Sequence, residues 1–330
     1  PDVVEDFNEA VAVKSQTSGY IYTDLKETGA DTQIFRNSIA DRGELLYLFT
    51  EDIDDYPATM DPDKIKVMNE EVLYFYLTIP PGNTSNYKWS EDVMVDRAEI
   101  GVEWQDQYAH YNHATLLEAY GFSEELYEGI NTSSGTTWFK NFKYEDLDSQ
   151  KSHWYYNSDS GYTDSVDIAA WAGHGTNPEW EHHVMYFFKD DWPWKEDCVL
   201  LYWTEIDWGD LDADWVFIST CSFLHGSDND LKQLVSSVSG EKCAHLICSF
   251  TNISHVHQGY GTYLAEQLGK KSIKQAWFKY CDNKQQSGTT AKVFGAEECM
   301  DDSLAGPGPI KVSRNPTIES TWTSETYTKP

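Results

Sequence analysis

Asp167-Ile168-Ala169-Ala170-Trp171-Ala172-Gly173-His174-Gly175 and Trp215-Val216-Phe217-Ile218-Ser219-Thr220-Cys221-Ser222 are the two stretches that decide how this chain folds. Each is an apolar run of the length expected of a strand covered on both faces, and each stops at a side chain with chemistry to offer. The first delivers His174 and Gly175; the second delivers Cys221, 47 residues beyond His174. In an open parallel sheet, ligands and reacting groups collect past the carboxyl ends of the strands. Neighbouring strands lie about 4.8 Å apart. An imidazole and a thiol just beyond two adjacent strands would therefore face one reacting carbonyl, the thiolate as nucleophile and the imidazole as proton shuttle.

The flanking sequence continues the pattern. Strand-like runs from His182 to Phe188 and from Cys198 to Trp203 flank the turn Asp190-Asp191-Trp192-Pro193, which predicts a hairpin between the His174 and Cys221 strands. Downstream, a helix is expected over Asp228 to Val238 and a buried strand over Cys243 to Phe250. Helices are expected over Gly259 to Leu268 and Ser272 to Tyr280, and a last strand over Ala291 to Phe294. Upstream, apolar spacing through Trp104, Tyr108, Tyr111, Leu116, Leu117 and Tyr120 is compatible with a helix between Gly101 and Gly121, and Ser123 reads as the N-cap of a second. Alternating strands and helices imply an α/β domain with a mostly parallel sheet and helices on both faces, over residues 97–312. Residues 1–96, with strand-like runs at Tyr20 to Tyr22, Glu44 to Phe49 and Glu71 to Ile79, read as a small α+β domain. Residues 313–330 read as a Thr-rich tail.

Composition narrows the function classes. The 55 acidic against 24 basic residues leave a net charge of −31, which repels phosphate backbones and anionic membrane surfaces; nucleic acid is not an expected partner. No apolar stretch reaches the roughly 18–20 residues of a membrane span. The chain opens at Pro1 without Met, and Asn83, Asn131 and Asn252 lie in Asn-x-Ser/Thr tripeptides, so a secreted or cell-surface home is the expectation. All six cysteines fall between 198 and 299 with no CxxC pair, which argues against zinc ribbons and thioredoxin-like redox motifs. Buried thiols are the simpler reading of them, with disulfides left open.

The order of His174-Gly175, hairpin, and Thr220-Cys221 resembles the caspase-like cysteine peptidase superfamily, which includes caspases, legumains, gingipains and clostripains. The likeness continues through Ser249-Phe250-Thr251, Tyr263-Leu264-Ala265-Glu266-Gln267-Leu268-Gly269 and Ile273-Lys274-Gln275-Ala276-Trp277, which look like a gingipain-type run. The span from Val102 to Pro309 also resembles an uncharacterised caspase-like domain family of bacteria and archaea. Thr220 departs from the pattern, since many of these peptidases carry Ala there. The resemblance implies a caspase-like three-layer sandwich and a peptide or protein substrate, with no cofactor required. It implies that Cys221 attacks the scissile carbonyl, that His174 protonates the leaving amine, and that the backbone N–H groups of Gly175 and Cys221 hold the oxyanion. It also implies that Ser249, Phe250 and Thr251 line the S1 pocket. The positive end of the helix after Cys221 would favour its thiolate.

Two rival readings belong to other classes. One is a catalytically inactive caspase-like domain that serves as a binding or structural module. The other is a metal-dependent hydrolase built on Glu179, Glu181, His182 and His183, with His255 and His257 later in the chain. These types can ligate zinc, but they make no HExxH pattern, and adjacent His182 and His183 point to opposite faces of a strand. Asp210, Asp212 and Asp214, and Asp228 with Asp230, carry oxygen donors suited to calcium as a structural ion. None of them matches the EF-hand loop, and solvated acidic turns are the simpler reading.

Overall fold

The computed structural model describes residues 6–15, 19–27, 35–37, 47–50, 64–67, 71–78, 87–95, 98–106, 116, 118–134, 138–156, 158–175, 184–187, 199–206, 208–209, 213–235, 243–304, 316–317 and 319–330. The chain divides into two compact units, Pro1–Arg97 and Ala98–Pro330.

The first unit contains, among its described residues, only strands: β1 (Asp6–Ser15), β2 (Gly19–Glu27), β3 (Phe35–Asn37), β4 (Tyr47–Thr50), β5 (Lys64–Val67), β6 (Glu71–Thr78) and β7 (Tyr87–Val95). Five of them form an antiparallel sheet in the order β3-β2-β1-β6-β7, and β4 pairs with β5 in parallel. The helical part expected of an α+β domain is not among the described residues.

The second unit is an α/β fold around a seven-stranded mixed sheet. Its strands are β8 (Glu99–Trp104), β9 (Phe139–Glu145), β10 (Ile168–Ala172), β13 (Trp215–Ser219), β14 (Leu246–Phe250), β15 (Thr290–Ala296) and β16 (Trp322–Thr328); β11 (Val184–Phe187) and β12 (Val199–Tyr202) form a separate antiparallel hairpin. The order across the sheet is β16-β15-β14-β13-β10-β8-β9. From β14 to β9 every pairing is parallel; β15 runs antiparallel to β14, and β16 antiparallel to β15. The chain adds β9 on one side of β8 and then turns to the other side with β10, so the topological switch point lies between β8 and β10.

Alternating side chains of each central strand enter two separate cores. On one face Ile100, Val102, Ile168, Ala170, Trp215, Phe217, Leu246 and Cys248 meet α1 (Tyr120–Ser134), α3 (Tyr260–Leu268) and α4 (Ile273–Lys284). Trp277 of α4 anchors this layer, with ring centroids 5.0 Å from Phe250 and 6.0 Å from Phe217, while its indole N–H donates to Ser249 O at 3.0 Å. Burying a side chain of this size is worth about 3 kcal/mol. On the other face Ala169, Trp171, Val216, Ile218 and Ile247 meet Trp154, Met185, Phe187, Trp208 and Phe223. Single 3-10 turns, the β11–β12 hairpin and the one-turn helix α2 (Asp228–Leu231) supply that layer. Helices thus stand on both faces, the long ones α1, α3 and α4 on one; among the described residues the other carries α2 and aromatic loops.

Three local expectations change. Residues Glu99–Trp104 form β8 rather than the start of a helix, because Ile100, Val102 and Trp104 share one face and parallel neighbours flank the strand on both sides. Ser123 is not an N-cap: α1 begins at Tyr120, and the Ser123 hydroxyl donates to Glu103 O at 2.8 Å. The stretch read as a tail contains β16, whose seven residues all pair with β15.

Candidate active site

β10 and β13 pair in parallel with Ala172 opposite Ser219. His174 and Cys221 each lie two residues further on, so the register delivers them as equivalents past the ends of adjacent strands. The Gly173 N–H donates to Ser219 O at 3.4 Å, which carries the pairing one step beyond the strands. Gly175 then packs directly on the Cys221 segment: a Cβ placed there would stand 2.5 Å from both Cys221 O and Thr220 Oγ1. A glycine is therefore required at 175 for steric reasons. His174, Gly175 and Cys221 are all half-buried, so the thiol is neither sealed in the core nor fully exposed.

The hairpin holds the His174 side of this junction. Tyr186 N–H donates to His174 O at 3.2 Å, and Gly175 bridges to Met185. In that pattern Gly175 and Met185 form a pair without mutual hydrogen bonds, so the Gly175 amide points away from β11.

After Cys221 the chain turns sharply. Ser222 takes a φ of 58°, an uncommon left-handed conformation for a residue with a side chain. Ser222 N–H donates to Asn252 O at 3.0 Å and Leu224 N–H to Phe250 O at 3.0 Å, so the end of β14 holds the turn in place. Asn252 is itself fixed: its amide donates to Gly288 O at 2.8 Å and its side-chain carbonyl accepts from Thr290 N–H at 2.8 Å.

The helix expected to favour the Cys221 thiolate is not at hand. α2 begins six residues beyond Ser222, at Asp228, and spans one turn. Ser227 caps it, and the Asp230 carboxylate accepts from the Ser227 N–H and hydroxyl. The backbone of Ser254 is what touches the thiol instead. Ser254 N–H donates to Cys221 Sγ at 3.4 Å, and Sγ lies 3.7 Å from Ser254 O. A main-chain contact leaves no mark in residue identity, so Ser254 could not be found by motif. His255 follows directly. Burial and the nearby His257 hold its imidazole below the ordinary range, and Gln285 secures its backbone on both sides.

The expected S1 lining is corrected in part. Ser249 and Phe250 are fully buried within β14; the Ser249 hydroxyl donates to Ile218 O at 2.7 Å, and Phe250 packs on Trp277. Thr251, half-buried, is the first of the three past the end of β14. Of the weaker metal candidates, Asp228 accepts from Ser324 Oγ at 2.6 Å and lies 3.7 Å from Lys292 Nζ, while Asp230 serves the α2 cap. Glu179, Glu181, His182 and His183 lie outside the described residues, as do Asp210 and Asp212.

Two acidic groups stand at the same end of the sheet, beyond β8 and β9. Asp106 N–H donates to Asp146 Oδ1 at 3.0 Å, and partial burial together with the Asp146 carboxylate pushes Asp106 up to about 6. Within β8, Glu103 is fully buried and accepts from Ser149 Oγ at 2.8 Å and Trp154 Nε1 at 3.0 Å; His153 Nδ1 lies 2.6 Å from its other oxygen. Burial raises the Glu103 carboxyl above its usual range, against the pull of these partners. Five described cysteines are free thiols, four of them buried; Cys198 lies outside the described residues. Among the described residues no helix is long and apolar enough to cross a membrane.

No curated protein matches the chain. The family described as Domain of unknown function (DUF6345) matches residues 102–326, a span that takes in every strand-end residue described above, and the chain belongs to that family.

Proposed function

We propose that the protein is a cysteine endopeptidase in which Cys221 and His174 act as a dyad on a caspase-like α/β sandwich. The observation that carries this reading is the register of β10 on β13, which sets the two groups level beyond neighbouring strands with Gly175 packed against Thr220-Cys221. The mostly parallel sheet between two side-chain layers is consistent with such a sandwich. In the reaction, Cys221 gives its thiol proton to His174 as Sγ bonds to the scissile carbonyl carbon, and the carbonyl oxygen takes up negative charge against the Gly175 and Cys221 N–H groups. The C–N bond then breaks, the leaving amine takes its proton from His174, and water releases the acyl group from sulfur. The Ser254 N–H, 3.4 Å from Sγ, holds the nucleophile in place before attack.

A second reading rests on the same segment. With Ser254 contacting the thiol through both its N–H and its carbonyl, the domain would suit a binding module that cleaves nothing. Thiol-reactive peptidyl probes with Arg, Lys, Asn or Asp at P1 separate the two. The peptidase labels with at least one probe, Cys221→Ala abolishes labelling, and His174→Ala slows it. Equal labelling of wild type and Cys221→Ala overturns a catalytic role for Cys221.

A further inference from the structure

At the end of the sheet opposite Cys221, three side chains of metal-ligating type converge. His245 immediately precedes β14, and Cys299 and Asp302 belong to the turn that follows β15. His245 and Asp302 are each 1% exposed and Cys299 is 0% exposed. One donor atom from each lies within 4.8 Å of the others. Two more groups orient the donors. Asp214 Oδ1 stands 3.3 Å from His245 Nε2 while His245 Nδ1 faces Asp302 Oδ2 at 2.7 Å, and Trp215 Nε1–H donates to that same Asp302 oxygen at 3.1 Å.

The geometry points to a zinc site in which His245 Nδ1, Cys299 Sγ and an Asp302 carboxylate oxygen are the protein ligands. In composition the group is a Cys–His–Asp triad, but a nucleophile needs access to substrate and Cys299 has none. The donor set decides the ion. One nitrogen, one thiolate and one carboxylate suit zinc, whereas calcium and magnesium select oxygen alone. Charge agrees with this choice. A thiolate and a carboxylate around Zn²⁺, with a neutral imidazole, sum to zero, the least costly state for a cluster withdrawn from water. Asp214 on the far imidazole nitrogen and Trp215 on the carboxylate are the outer contacts that fix ring orientation and ligand direction in such sites. Binding exchanges Zn²⁺ for the Cys299 thiol proton and the Nδ1 proton. Donors on a tetrahedral zinc with bonds of about 2.0–2.1 Å stand about 3.4 Å apart. The Nδ1–Oδ2 hydrogen bond therefore opens by roughly 0.7 Å as the ion replaces the proton. With water as the fourth donor, the ion would tie the start of β14 to the turn after β15, remote from the Cys221 junction.

The test uses the full chain loaded with Zn²⁺ or Co²⁺ and freed of excess ion. One zinc per chain is expected. The cobalt form of wild type, and equally of Cys221→Ala, should show thiolate-to-metal charge-transfer absorption, which Cys299→Ala should lose entirely. Retention of that band in Cys299→Ala, or less than a tenth of a metal equivalent in wild type, overturns the site. Should Cys299→Ala fail to fold, zinc-edge X-ray absorption on Cys221→Ala decides. One sulfur at about 2.3 Å with lighter donors near 2.0 Å supports the assignment, and a shell without sulfur overturns it.

Discussion

Replacing Gly175 with Ala would place a methyl carbon 2.5 Å from Cys221 O, 2.5 Å from Thr220 Oγ1 and 3.2 Å from Thr220 Cγ2. Non-bonded heavy atoms rest about 3.5–4.0 Å apart, so the His174-Gly175 backbone must withdraw from Thr220-Cys221 by about 1 Å. Overpacking of this kind costs about 1–3 kcal/mol of stability, read as a fall in the urea midpoint at unchanged slope. A displacement near 1 Å of a reacting group costs on the order of 100-fold in rate, read as slower labelling of Cys221 by whichever probe marks the wild type. Thr220→Ala supplies the internal control. It removes two of the three close contacts, and Thr220 Oγ1 is buried with no hydrogen-bond partner, so that change alone should cost little. Combined with Gly175→Ala it should restore part of both losses, with a coupling above about 0.5 kcal/mol. The steric argument fails if Gly175→Ala stays within 0.5 kcal/mol of wild type and labels at the wild-type rate. It also fails if the double variant is simply additive.

Two further outcomes can be measured by denaturant unfolding. The carboxyl of Asp106 is raised from 3.8 to about 6 by burial and by Asp146, so the fold favours its protonated form. Its contribution is full below about pH 4 and is lost as pH rises through 6. Asp106→Asn should therefore gain on wild type between pH 4 and 7.5, by about 1 kcal/mol once solvent screening of a partly exposed group is allowed for; a flat difference across that range would refute the assignment. Glu103→Ala strips the acceptor from His153, Trp154 and Ser149 in a fully buried setting and should cost about 3–5 kcal/mol. A loss below 1 kcal/mol would mean that these groups find other partners.

The parts of the fold that could be read from sequence are those where one strand carries its whole signal. Ile168–Ala172 and Trp215–Ser219 are covered on both faces and read as unbroken apolar runs. Their carboxyl-terminal residues were legible for the same reason, because where a parallel strand stops, the next side chains emerge at the functional edge. β8 was not legible. Its two glutamates look like surface residues, and the burial of Glu103 depends on His153, 50 positions away. β16 reads as Ser, Thr and Glu between Trp322 and Tyr327, and becomes a strand through pairing with β15. The Ser254 contact belongs to the main chain, and the His245–Asp302 contact spans 57 residues. Neither leaves a local spacing that a motif could capture. Ser249 and Phe250 cannot line a cleft, since β14 stays inside the sheet through Phe250 before the chain emerges at Thr251.

The free thiols have a consequence for handling the protein outside the native state. Many stabilising contacts join distant parts of the chain: Gly259 N–H reaches Glu125 across 134 residues, and the Glu99 N–H reaches Asp167 across 68. Such topologies assemble slowly, because distant segments must meet before any contact rewards them. Throughout that interval Cys243, Cys248, Cys281 and Cys299, all buried once folding is complete, stand in solvent beside Cys221. Refolding in air then becomes a race between sheet assembly and scrambled cross-linking, and the yield of native protein should depend on the reductant in the buffer.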